Sequence, residues 1–136
     1  LEYSGIEFID PQKRSQQHRA TRLLWDSLNQ SGLGRMTIGR ITVFLYFDAI
    51  NGAVALEEQF ASYGDWTVDR YHVSKNDLEC VRLLSPECEF TLDAFLELTD
   101  IMLIEADRHN GTFDGFEVAA ENTRKRKRWF SIWYGK

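Results

Sequence analysis

The order of apolar patterns along this chain predicts an α+β fold: a leading helix, then strand, helix, two strands, helix and strand. Three observations carry that expectation. Ile41–Phe47 is an uninterrupted β-branched and aromatic run of strand length. Three longer stretches repeat apolar residues at helical spacing and are bounded by residues that start or stop helices. Trp66–Val73 and Leu78–Leu84 are two strand-like runs joined by Lys75-Asn76-Asp77, which reads as a hairpin.

The first helix opens at Asp10-Pro11, where the carboxylate accepts from orphan amides and proline fits the first helical position. It runs to about Gln30 on a narrow stripe of Ala20, Leu23, Leu24 and Leu28, and Ser31-Gly32-Leu33-Gly34 stops it. Lys13, Arg14, His18, Arg19 and Arg22 make its first half wet. After the Ile41–Phe47 strand, Asp48 or Asn51 is placed to cap a second helix. That helix turns Ile50, Val54, Phe60 and Ala61 inward and Glu57, Glu58 and Gln59 outward, and closes at Gly64. Ser85-Pro86 ends the hairpin. Thr91 then caps a third helix reaching about Asn110, with Leu92, Phe95, Leu96, Thr99, Met102, Leu103 and Ala106 on one face. Thr112–Ala120 is a last core strand, in which Asp114-Gly115 suggests a bulge. Trp129–Tyr134 follows as either an edge strand or an exposed aromatic tail. This order matches the split βαβ arrangement called ferredoxin-like, with an additional N-terminal helix. One sheet face is expected to be covered by helices and the other to stay partly open.

A chain of 136 residues fits one domain, divided into an N-terminal helix (10–31), a ferredoxin-like core (38–120) and a basic, aromatic C-terminal segment (121–136). With 43% hydrophobic and 27% charged residues it is expected to fold rather than remain disordered. No apolar run approaches the ~20 residues of a membrane span, and no charged-then-apolar leader opens the chain. A cytoplasmic protein without membrane contact is therefore expected; the absence of Met at position 1 leaves open a segment upstream. Cys80 and Cys88 are too few for a disulfide scaffold or a metal site and read as reduced thiols, with a bridge between them as the alternative.

Chemistry-bearing motifs are sparse. The phosphate-binding glycine patterns are absent, and Gly32-Leu33-Gly34 lacks a preceding strand. His18, His72 and His109 sit in no ligand spacing, no nucleophile elbow surrounds a serine, and a Cys80–His72 pair across the hairpin has no orienting third group. The expectation is a non-enzymatic protein with no cofactor and no metal. Carboxylates are the excess: Glu87, Glu89, Asp93, Glu97 and Asp100 gather around the start of the third helix. Asp93 and Glu97 are four apart and Glu97 and Asp100 three apart, so they share a face, either as a solvated patch or as a grip for a basic partner. The net charge of −5 conceals five adjacent cations, Arg124-Lys125-Arg126-Lys127-Arg128, so the rest of the chain carries a formal −10. Such a body repels nucleic acid and attracts basic proteins. The cations themselves, with Trp129 and Trp133 behind them, offer phosphates and bases a second kind of site. Trp66 is read as core rather than surface.

In the order of these pieces the chain resembles the family of ribonuclease E inhibitors called regulator of ribonuclease activity B. The matching stretches are Thr21-Arg22-Leu23-Leu24-Trp25-Asp26-Ser27-Leu28, Leu56-Glu57-Glu58 with Phe60 and Gly64, and Leu98–Ala106 followed by Phe113-Asp114-Gly115-Phe116. The resemblance spans about Arg14 to Val118. It implies a ferredoxin-like fold and a cytoplasmic, non-enzymatic inhibitor of an endoribonuclease. Two departures stand out: the family's aromatic after Asp-Gly is usually Trp and here is Phe116, and an acidic tail is replaced by a basic, aromatic one. The leading expectation is a protein-binding regulator, monomeric or weakly dimeric, whose acidic surface masks a basic nuclease, with Asp114, Gly115 and Phe116 shaping the partner-facing edge. An immunity protein against a toxin nuclease and an RNA-binding module built on the basic segment are the alternatives.

Overall fold

The computed structural model describes residues 5–121 and 133–134. A single 3-10 turn, Ile6–Phe8, precedes α1 (Pro11–Gln30), and β1 (Ile38–Phe47), α2 (Ile50–Ala61), β2 (Thr67–Val73), β3 (Leu78–Leu84), β4 (Cys88–Glu89), α3 (Leu92–Arg108), β5 (Gly111–Glu121) and β6 (Trp133–Tyr134) follow. The strands form one antiparallel sheet in the order β2-β3-β1-β5-β6, with β4 pairing the start of β1. This is a ferredoxin-like α+β fold with an added N-terminal helix and a short C-terminal edge strand.

β1 is central because it is the strand that can be buried along its whole length. Its burial nevertheless alternates: Gly39, Ile41, Val43, Leu45 and Phe47 are buried, while Arg40, Thr42, Phe44 and Tyr46 face the other side. The buried row meets Val81 and Leu83 of β3 and Phe113, Phe116 and Val118 of β5 beneath the helices. Fully burying each of these side chains contributes about 1.5–3 kcal/mol.

The bulge expected at Asp114-Gly115 is present, as a break in the β1–β5 pairing between Val43 and Leu45. Gly115 has φ 113°, a backbone conformation that favours glycine. Strict alternation would send residues 113 and 116 to opposite faces; the extra residue turns both into the core. Phe116 packs 5.0 Å from Phe113 and 6.1 Å from Phe95, which also contacts Phe90 at 5.2 Å and Trp25 at 6.0 Å. Phe116 is 2% exposed, so it is a core residue and does not shape the partner-facing edge expected of it. Gly115 is buried beside it.

Both cross-helix faces differ from those the apolar spacing suggests. In α1 the buried residues are Gln17, Thr21, Leu24 and Leu28, and Leu23 is 49% exposed. The cause is α3, which meets α1 through polar groups as well as apolar ones: the Thr21 and Thr99 hydroxyls lie 2.7 Å apart. In α2 the buried residues are Ala53, Leu56 and Phe60, whereas Ile50 and Ala61 are exposed. Gly52 explains the rotation: a Cβ there would stand 2.3 Å from the His109 carbonyl oxygen, so α2 is drawn against the end of α3 on its glycine side. Neither Asp48 nor Asn51 caps α2; its N-cap is Ala49, without a side-chain hydrogen bond. α1 and α3 begin as expected, Asp10 accepting from Gln12 N at 3.1 Å and Thr91 from Ala94 N at 3.0 Å.

Candidate functional site: an acidic groove beside α3

The acidic residues of the α3 region fall into two groups. Glu87, Glu89, Asp93 and Glu97 are exposed and make no ion pair among the described residues. Asp100 is 7% exposed and points into the α1–α3 interface. There it takes a bidentate pair from Arg14, Nε to Oδ1 at 2.8 Å and Nη2 to Oδ2 at 2.9 Å, and a third contact from His18 Nε2 to Oδ1 at 2.7 Å. Burial alone would raise the Asp100 carboxyl; the hydrogen bonds from Arg14 and His18 outweigh it and hold the group below its ordinary range. Asp100 is thus a structural anion and no part of the acidic surface assigned to it from the sequence. Helical spacing put it on Glu97's face; the three-residue step rotates it far enough to meet α1.

Beside the exposed group runs a groove of about 280 Å³ between the first half of α3 and the connections that enter β2 and leave β3. Trp66, Pro86, Leu98 and Ile101 supply apolar walls, Ile41 of β1 lies at its base, and Asp65 and Glu97 stand among its lining residues. Each wall is positioned by a local device. Trp66 packs edge-on against Phe60, 5.1 Å between centroids at 80°, which fixes the ring between core and surface. Pro86 is held through Ser85, whose hydroxyl accepts from Ile41 N and donates to the Pro86 carbonyl, both at 2.9 Å. The Ser85 amide also donates to Ile41 O at 2.9 Å, and Phe90 N to Thr37 O at 2.8 Å, so the loop is stitched to β1 on both sides of β4. The two-residue strand β4 was not foreseen; it is too short for any alternating pattern to show. Asp65 and Trp66 likewise escaped notice as groove residues, because only the α2–β2 connection brings them opposite Glu97.

Cys88 also lines the groove, and burial pushes its thiol up, so it is not poised as a thiolate. Cys80 lies under the open sheet face, buried between the directly opposed Tyr46 and Tyr71 of the flanking strands. Burial raises its thiol too, against hydrogen bonds from Tyr71 and Tyr46. Both cysteines are free. The imagined Cys80–His72 pair does not form: side chains of adjacent residues on a strand alternate, and Glu79, not Cys80, shares His72's face. His72 Nδ1 lies 2.8 Å from Glu79 Oε2, and Arg70 donates to the other Glu79 oxygen at 2.8 Å and to Glu57 at 3.2 Å. His109 contacts Gln59 at 2.8 Å and lies 3.6 Å from Glu105. All three histidines therefore have carboxylate neighbours, and only that of His109 is local in sequence, at i−4. Among the described residues no group of three or more His, Cys, Asp and Glu side chains converges as a metal site.

The open sheet face carries Phe44, Tyr46 and Tyr71 with Arg40 and an Arg82–Asp69 ion pair, Arg82 also lying over the Tyr71 ring. Asp114 borders the end of this face in a 420 Å³ hollow with Tyr46, Asp48 and Asn76, well apart in the sheet from the α3 groove. It does not join Glu87, Glu89, Asp93 and Glu97 in one surface. Arg124, Lys125, Arg126, Lys127, Arg128 and Trp129 lie outside the described residues. Trp133 belongs to β6, where it pairs with Glu117. No helix among the described residues is long and apolar enough to cross a membrane. Compared with known proteins, the chain matches no protein-family model and no curated protein sequence.

Proposed function

We propose that this protein is a non-catalytic, protein-binding regulator that seats a basic segment of its partner in the acidic groove beside α3, and that the partner is an endoribonuclease. The observation that carries the reading is the groove itself. It combines a fixed apolar wall, Trp66, Pro86 and Leu98, with Asp65 and Glu97, while Glu87, Glu89 and Asp93 extend the same charge on the adjoining surface and make no ion pair among the described residues. Carboxylates left unpaired on a surface repel one another by a few tenths of a kcal/mol per pair, and a basic partner relieves that repulsion as it binds. An apolar wall beside them lets one side chain anchor while the charges set orientation. A nuclease holds RNA on a basic surface, which is the complement such a groove needs. The resemblance to the ribonuclease E inhibitors points the same way. A toxin nuclease presents the same chemistry, which makes an immunity role the nearest variant.

The test is inhibition of ribonuclease E, assayed on a fluorogenic RNA with the wild-type chain and with Asp93→Lys/Glu97→Lys. Dose-dependent inhibition that weakens with salt and is lost in the double variant is the expected result. Equal inhibition by both proteins would remove the groove from the mechanism. Retention of the RNA substrate by the regulator itself, with the nuclease left free, would replace this reading with an RNA-binding one centred on Phe44, Tyr46 and Tyr71.

A further inference from the structure

α1 carries a second groove of opposite sign. It has a volume of about 670 Å³ and lies along the outer side of the helix, closed on one flank by the segment that leads into it. Ser15, His18, Arg19 and Arg22 fall at positions i, i+3, i+4 and i+7, a single stripe down the helix. Arg14 and His18 are committed to Asp100, but Arg19 and Arg22 are exposed and make no ion pair among the described residues. Among the described residues Glu7 is the one carboxylate lining the groove. The walls are aliphatic: Ile6 is 40% and Leu23 49% exposed, with Ile9 between them and the core. Leu23 is a residue that the helix's apolar spacing places inside, and α3 leaves it outside beside Arg19 and Arg22.

We propose that this groove binds an acidic segment of a protein partner, one that carries aliphatic residues between its carboxylates. Charge complementarity selects the sign. Arg19 and Arg22 sit on a body whose formal charge outside the five-cation run is −10, so they form a local exception that an anionic ligand must find by geometry rather than by net attraction. The walls select the class. Among the described residues no aromatic ring lines the groove to stack unpaired bases, whereas Ile6 and Leu23 cover aliphatic side chains well. The stripe from Ser15 to Leu23 is about 12 Å long at 1.5 Å per residue, enough for roughly two turns of an amphipathic helix lying in the groove. This site is independent of the acidic groove and neither requires nor excludes it.

The test uses the full chain and a fluorescein-labelled synthetic peptide of interspersed Glu and Leu, followed by polarisation at low and high salt. A Lys-for-Glu peptide and single-stranded oligo-dT serve as competitors. The wild type binds the acidic peptide; Arg19→Glu/Arg22→Glu weakens it about tenfold, the scale of two surface charge reversals. Leu23→Ser weakens it severalfold, and that loss persists at high salt. Glu97→Gln leaves it unchanged, which separates the two grooves. Because Arg19, Arg22 and Leu23 are exposed, a matching denaturation midpoint shows that each variant is folded. Unchanged binding in the arginine variant overturns the proposal, and so does a Leu23→Ser variant indistinguishable from wild type. Displacement of the peptide by oligo-dT, with the same arginine dependence, reassigns the groove to nucleic acid.

Discussion

Glu97 and Asp100 are both carboxylates of the same helix, less than one turn apart, and the protein uses them in opposite ways. Glu97 stands in solvent at the edge of an apolar groove with no cation among the described residues. Asp100 is enclosed between two helices and holds Arg14 and His18 at hydrogen-bonding distance. An exposed charge contributes little to stability and is free to act on another molecule. A buried one must be paired, and once paired it has no field left to offer a partner. The acidic surface beside α3 is consequently smaller than its sequence suggests, but Glu87, Glu89, Asp93 and Glu97 make no ion pair among the described residues.

Substitutions can sharpen this contrast, beginning with a core reference. Phe116→Ala is expected to cost about 3–5 kcal/mol, as removal of a fully buried ring does, measured by chemical denaturation. A loss under 1 kcal/mol would mean that the ring is not enclosed. Asp100→Asn keeps the shape but removes the charge that Arg14 and His18 share, and about 1.5–3 kcal/mol should go with it. The discount from a fully buried pair reflects Arg14, which is 40% exposed. Gly115→Ala meets the positive φ of the bulge and is expected to cost about 1–2 kcal/mol, read as a shift in the denaturation midpoint.

pH separates the two carboxylates without mutation. The folded-state carboxyl of Asp100 is depressed, so its contribution is fully present above the unfolded value near 3.9 and is lost as pH falls through the folded value. The stability gap between wild type and Asp100→Asn should therefore narrow below about pH 4, in acid titrations of the denaturation midpoint. A gap that stays constant through that range would remove the ion pair from the account. The smallest effect belongs to Glu97→Gln, which should change stability by less than about 0.5 kcal/mol, even slightly upward as repulsion from Asp93 is relieved. Its consequence should instead appear in the salt dependence of the proposed nuclease inhibition.

The same pair of residues shows how far the sequence could be read. Strands and helices were legible because their apolar spacing and their caps are local signals: Ile41–Phe47, the hairpin, Asp10 and Thr91 all hold, and their order yields the ferredoxin-like topology. The faces of α1 and α2 were not. Hydrophobic periodicity finds a helix's oily side, and α1 meets α3 partly through Thr21, Thr99, Arg14, His18 and Asp100. Gly52 did signal the true face of α2, although it read as a weak boundary rather than a close approach. Of the candidate site, Glu87, Glu89, Asp93 and Glu97 were visible as charge in one sequence neighbourhood. Asp65, Trp66 and Pro86 were not, since a groove formed by two separate connections against a helix leaves no mark in any one of them.

Arg14 and His18 are separated by one helical turn, and Asp100 receives both. Such a contact ties two successive turns of α1 to one side chain of α3. The helix that carries the arginine stripe is thereby pinned to the helix that borders the carboxylate groove. Arg19 and Arg22 on one helix and Glu97 on the other therefore keep a constant separation and bearing. A charged partner approaching through water feels a torque as well as an attraction, and turns the molecule to a preferred pose before the surfaces touch.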